Sequence, residues 1–178
     1  GQFIPEHLDL WHVEFNFSSD FHIDFESKQL NTYQPTIYMT PPTSPQKQIP
    51  ATIRKVIYNA TGGDDETFEA FINWIATIMQ LRIKTGIAWI RHGTTGTGKG
   101  ITFNEIIDPL FGEEYTPRIT MNALANDQFN GYLEKAIVCF IDEAEMVGIE
   151  NESKLDTRLR EYITEPTISL RKMRVGTH

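Results

Sequence analysis

Gly93-Thr94-Thr95-Gly96-Thr97-Gly98-Lys99-Gly100 is the stretch whose reading decides the fold. It follows an apolar run, Ile87-Ala88-Trp89-Ile90, and opens a helix-like run from Lys99 to Phe111. A strand, a glycine loop and a helix in that order are the context of a phosphate-binding site. Glycines let the backbone curl so that successive N–H groups point at anionic oxygens. The helix N-terminus adds the positive end of its dipole. Lys99 supplies a point charge for the β- and γ-phosphates of a nucleotide. Gly93, Gly98 and Lys99 meet the pattern G-x-x-x-x-G-K, and the binding set runs on through Gly100 to Ile101. Gly100 stands where the pattern places a Ser or Thr that gives its hydroxyl to magnesium. Thr102 lies two residues on and points to another helix face. Alone, the stretch also reads as an ordinary glycine-rich turn.

A second motif weighs against that plainer reading. Ala136-Ile137-Val138-Cys139-Phe140-Ile141 is an apolar, β-branched run that reads as a strand buried on both faces. It ends in Asp142 and Glu143, where an open parallel sheet places its ligands. In this reading Asp142 holds magnesium and Glu143 polarises the attacking water. The plainer alternative is a buried strand followed by a helix-capping Asp.

Composition bounds the rest. A chain of 178 residues, 40% hydrophobic, holds one ordinary domain and an appendage. Cys139 is the single cysteine, so no disulfide framework forms within the chain, which fits a reducing cytoplasm. No apolar stretch is long enough to span a membrane. The net charge of −8 counts against a broad nucleic-acid surface. The charge is uneven, however. Residues 1–26 hold six carboxylates and no Lys or Arg, while Arg158, Arg160, Arg171, Lys172 and Arg174 collect near the C-terminus.

In chain order, Trp11 to Phe17 and Phe21 to Phe25 alternate apolar with polar around Ser18-Ser19-Asp20, which predicts a two-stranded hairpin. His7, His12 and His22 show no compact metal-ligand spacing. Ile37-Tyr38-Met39 is a candidate short strand. The acidic β-rich appendage is placed at 1–40 and a proline-rich linker at 41–50. A helical segment follows at 51–85, where Phe68, Phe71, Ile72, Ile75, Ile78 and Met79 recur at three and four behind a capping Asp64. Trp74 reads as a packing contact. The α/β core is placed at 86–178, with a strand or hairpin arm from Thr167 to Val175.

Gly96-Thr97-Gly98-Lys99-Gly100, Gln128-Phe129-Asn130, Asp142-Glu143-Ala144 and Tyr162-Ile163-Thr164 with Lys172, in this order, resemble the superfamily 3 helicase domain of phage and plasmid primase proteins. The likeness covers roughly residues 30–178 and is strongest to the C-terminal part of phage primase-polymerases. It implies an AAA+-like P-loop NTPase core, ATP and Mg2+ as cofactors, a homo-hexamer, movement along single-stranded DNA and a place in the host cytoplasm. Carried over, Lys99 binds phosphate and Asp142 and Glu143 serve magnesium and water. Arg171, Lys172 and Arg174 fall where the family carries DNA-contacting residues; a solvated basic rim balancing Glu161 and Glu165 is the plainer reading. Gly100 departs from the family pattern. The family's sensor strand and arginine finger are expected beyond His178, which makes the core here incomplete. Two other classes stay open: a nucleotide-binding oligomerisation module without turnover, and a P-loop phosphotransferase, against which the paired Asp142-Glu143 speaks.

Overall fold

The computed structural model describes residues 11–19, 21–40, 48–93, 99–126, 130–142 and 152–171. The chain divides into two compact units, Gly1–Gln34 and Pro35–His178.

In the first unit, β1 (His12–Glu14), β2 (Ile23–Asp24) and β3 (Gln29–Asn31) form one sheet in the order β1-β3-β2. β1 runs parallel to β3, and β2 antiparallel to it. The expected hairpin of Trp11–Phe17 with Phe21–Phe25 is therefore wrong: β3 lies between its two arms. The reason is local. The Asp24 carboxylate accepts from the N–H groups of Glu26 and Ser27 and from the Ser27 hydroxyl at 2.6 Å. Such an Asx turn reverses the chain by itself, so the hairpin closes one step later, across Asp24–Lys28. Asn31 then exchanges two 2.9 Å hydrogen bonds with the Asn16 backbone, which docks β1 on the outer edge of β3. Phe15 and Phe17 meet the buried Tyr33 edge to face.

Residues 35–40, read from the sequence with the appendage, group with the second unit. Ile37–Met39 is a 3-10 turn rather than a strand, and the Thr36 hydroxyl donates to Leu110 O at 2.6 Å. Of the linker segment 41–50, residues 41–47 lie outside the described residues. α1 (Ala51–Ala60) ends at Thr61, where Gly62 and Gly63 turn the chain with positive φ. α2 (Asp65–Leu81) buries Phe68, Phe71, Ile75 and Ile78 on one stripe. Asp64 caps it, accepting from Thr67 N at 2.7 Å.

α3 (Lys99–Thr102) runs on through a π turn, Phe103–Ile107, into α4 (Asp108–Phe111). Pro109 explains the widened turn: it has no N–H for the 105 carbonyl and its ring crowds that turn. The Asp108 N–H instead reaches Phe103 O. Gly112, φ 101°, ends the run, as the sequence predicts.

β4 (Arg118–Thr120) leads into α5 (Met121–Asn126), whose first turn the Thr120 hydroxyl caps through Ala123 N. β5 (Phe140–Asp142) lies parallel to β4, with Ile119 opposite Ile141 and Thr120 opposite Asp142. α6 (Glu152–Thr164) buries Leu155 against Ile119, Leu124 and Ala125, with Leu159 and Tyr162 packed alongside. Arg158 Nη1 donates to Leu124 O at 2.6 Å, closing the end of α5.

Candidate functional site

The strand expected before the glycine loop takes a different form. Residues 87–93 form no strand and pair with none of the described strands; Ile87 and Ile90 are exposed. The approach to the loop is instead pinned to α2. The Trp89 ring lies 5.1 Å from Phe71 and stacks on Trp74 at 6.3 Å and 24°. The Arg91 guanidinium sits 4.9 Å from the Phe71 centroid, and burial pushes its pKa down from the ordinary value. Trp74 is thus the packing contact expected of it. Trp89 and Arg91 were not singled out by any spacing, since their partners come from a helix before the motif.

Gly93 is exposed, and Thr94, Thr95, Gly96, Thr97 and Gly98 lie outside the described residues. Lys99 is the first residue of α3, followed by the exposed Gly100 and Ile101. A Cβ built at Gly100 meets nothing within 4 Å, so packing does not demand glycine there. Thr102 is fully buried, so its hydroxyl is not open to solvent as Gly100 is.

The acidic strand is shorter and more open than expected. Only Phe140–Asp142 is strand, and Cys139 is exposed, so the run is not buried on both faces. A strand is covered on both faces only inside a wider, helix-flanked sheet; among the described residues β5 has one neighbour, β4. Asp142 stands at the carboxyl end of a parallel pair. Glu143 lies outside the described residues.

One contact joins the two motifs. Phe103, one turn beyond Lys99, stacks on Phe140, two residues before Asp142, with ring centroids 4.2 Å apart at 17°. Arg118 covers the same ring, its guanidinium 5.0 Å from the Phe103 centroid, and pairs with Asp108 at 2.6 Å. Asp108 accepts a second bond from the Thr116 hydroxyl at 2.5 Å. The helix that starts at Lys99 is thereby locked on the strand that ends at Asp142.

The basic arm is read differently by the structure in one respect. Residues 167–171 form no strand. Their backbone is tied to Asn130: Arg171 N–H donates to Asn130 Oδ1 at 2.7 Å, and Asn130 N–H donates to Arg171 O at 3.1 Å. Arg171 is exposed, and Lys172 and Arg174 lie outside the described residues. No helix among the described residues is long and apolar enough to cross a membrane.

A family described as one of unknown function, DUF5906, matches residues 91–177. The DNA primase-polymerase of Nitratiruptor phage NrS-1 is 30% identical over 145 residues, which is 82% of this chain and 20% of that protein. Two solved apo structures of the NrS-1 C-terminal region align at TM-scores of 0.78 and 0.76 and 28% identity. They cover 92% and 96% of this chain, while the chain spans 39% and 40% of theirs. In sequence and in fold the chain is related to the C-terminal region of a phage DNA primase-polymerase.

Proposed function

We propose that the chain carries the ATP-binding, helicase-type part of a phage replication protein, built as an AAA+-like P-loop core and working in the host cytoplasm. The observation that carries this reading is the stack of Phe103 on Phe140, which draws a glycine-loop helix and an acidic strand end together. Lys99 and the backbone N–H groups of Gly93 to Ile101 hold the phosphates, and Asp142 holds magnesium. The residues fit a triphosphate better than they fit the metal: the loop flanks are exposed and open, but position 100 offers no hydroxyl. When bound, magnesium would neutralise charge developing on the transferred phosphoryl oxygens. Glu143 takes a proton from the attacking water. Arg171, Lys172 and Arg174 contact single-stranded DNA, and assembly into a ring multiplies those contacts.

A second reading, nucleotide binding and oligomerisation without turnover, is favoured by Gly100 together with the burial of Thr102. Calorimetry and steady-state hydrolysis separate the two. The parent chain binds MgATP, and Lys99→Ala loses a charge-assisted contact of roughly 1.5–3 kcal/mol. Hydrolysis stimulated by single-stranded DNA supports the motor; tight binding with no hydrolysis in the assembled protein supports the second reading. Equal affinity in Lys99→Ala and parent removes both.

A further inference from the structure

The segment Pro166–Arg171 has neither helix nor strand to fix its backbone, yet it is held at two residues by one side chain. Asn130 Oδ1 accepts from Arg171 N–H at 2.7 Å. Asn130 Nδ2 donates to Ser169 O at 2.9 Å and to the Tyr162 hydroxyl at 3.3 Å. The Asn130 main-chain N–H donates to Arg171 O at 3.1 Å. An amide is the side chain that can accept on one atom and donate twice from the other. Aspartate lacks the donors, and glutamine is one methylene too long for the same reach. Tyr162 is itself anchored, because it packs on the cluster of Ile119, Leu124, Ala125 and Leu155. Arg171 is exposed, and among the described residues no carboxylate pairs with it. A cation whose main chain is held at both its N–H and its carbonyl, and which has no carboxylate partner among the described residues, is open to an external anion.

We infer that Asn130 is a positioning residue: it clamps Ser169 and Arg171 so that the Arg171 guanidinium meets the phosphate backbone of single-stranded nucleic acid. This rests on the reading of the basic arm as the DNA-contacting element. The clamp spends in advance the backbone entropy that a free arm would lose on binding. Asn130→Ala changes no charge, so it acts on binding only through the geometry it releases.

The test is fluorescence anisotropy of the full chain with a labelled oligothymidine at several salt concentrations. Arg171→Ala is expected to weaken binding and lower the magnitude of the salt slope by about 0.7, one phosphate contact. Asn130→Ala should do the same, and the double variant should be no weaker than Arg171→Ala alone, because both remove one contact. Tyr162→Phe removes a single bond of the clamp and should give a smaller loss in the same direction. Amide hydrogen exchange at Arg171 should accelerate in Asn130→Ala. If Arg171→Ala lowers the slope while Asn130→Ala keeps the parental one, or if the two losses add, the positioning role is overturned. If Arg171→Ala itself keeps parental affinity, the basic-arm reading falls and the inference with it. Should Asn130→Ala fail to fold, Tyr162→Phe decides, and parental affinity and slope there overturn the proposal.

Discussion

Phe103 and Phe140 lie ring on ring, 4.2 Å apart and 17° from parallel, although 36 residues separate them in the chain. Phe103 is buried, 4% exposed, and the Arg118 guanidinium also lies over its ring. Removing it leaves a cavity between helix and strand, so Phe103→Ala should cost about 3–5 kcal/mol of stability. Phe103→Leu keeps most of the side-chain volume and should cost less than Phe103→Ala. Urea denaturation followed by circular dichroism reads both. In Phe103→Leu, nucleotide affinity should fall further than stability does if this stack aligns the loop helix with the acidic strand.

Gly100 can be tested in the opposite direction. With nothing within 4 Å of a Cβ, Gly100→Ser should fold unchanged and gain a few tenths of a kcal/mol, as glycine is the poorer helix former. In the P-loop reading the new hydroxyl also supplies a missing magnesium ligand. Magnesium-dependent ATP affinity should then rise in Gly100→Ser and stay at the parental level in Gly100→Ala. Identical affinity in the two variants would place the hydroxyl out of reach of the metal.

In the P-loop reading the acidic pair divides its labour by chemistry. Asp142→Asn keeps the shape and removes the charge, so nucleotide binding should lose its dependence on magnesium. Glu143→Gln should bind ATP as the parent does and slow hydrolysis in any assembly that turns ATP over. Calorimetry with and without magnesium, beside a phosphate-release assay, distinguishes them. The reverse pattern assigns the metal to Glu143.

Asp64 carries a pH signature. Its hydrogen bonds from the Thr67 hydroxyl, then from the Thr67 N–H, hold its pKa below the ordinary 3.8. A carboxylate whose folded pKa is depressed adds stability that is full above its unfolded value and is lost as pH falls through the folded one. Asp64→Ala should therefore lower Tm at neutral pH. The gap between variant and parent should narrow below pH 3.8. A Tm difference that stays constant from neutral pH down into that acid range would show that the carboxylate charge plays no part in the cap.

What the sequence alone determined is whatever rests on short-range geometry. The 3.6-residue stripe of Phe68, Phe71, Ile75 and Ile78 and the cap at Asp64 made α2 legible. Gly112 marked the end of the helical run from Lys99, since left-handed φ at that point suits glycine. The motifs around Lys99 and Asp142 named the candidate residues, and their order carried the likeness to phage replication proteins. Pairing was another matter. An alternating run states that a strand has two faces, and it does not state which strand lies beside it. So β3 entered between the two aromatic arms, Ile87–Ile90 stayed outside any ladder, and the acidic run shortened to Phe140–Asp142. The stack of Phe103 on Phe140 and the grip of Asn130 on Arg171 join residues tens of positions apart. Such contacts have no period and no spacing rule, because the folded backbone sets the distance and only then do side-chain shape and hydrogen-bonding capacity decide whether it is used.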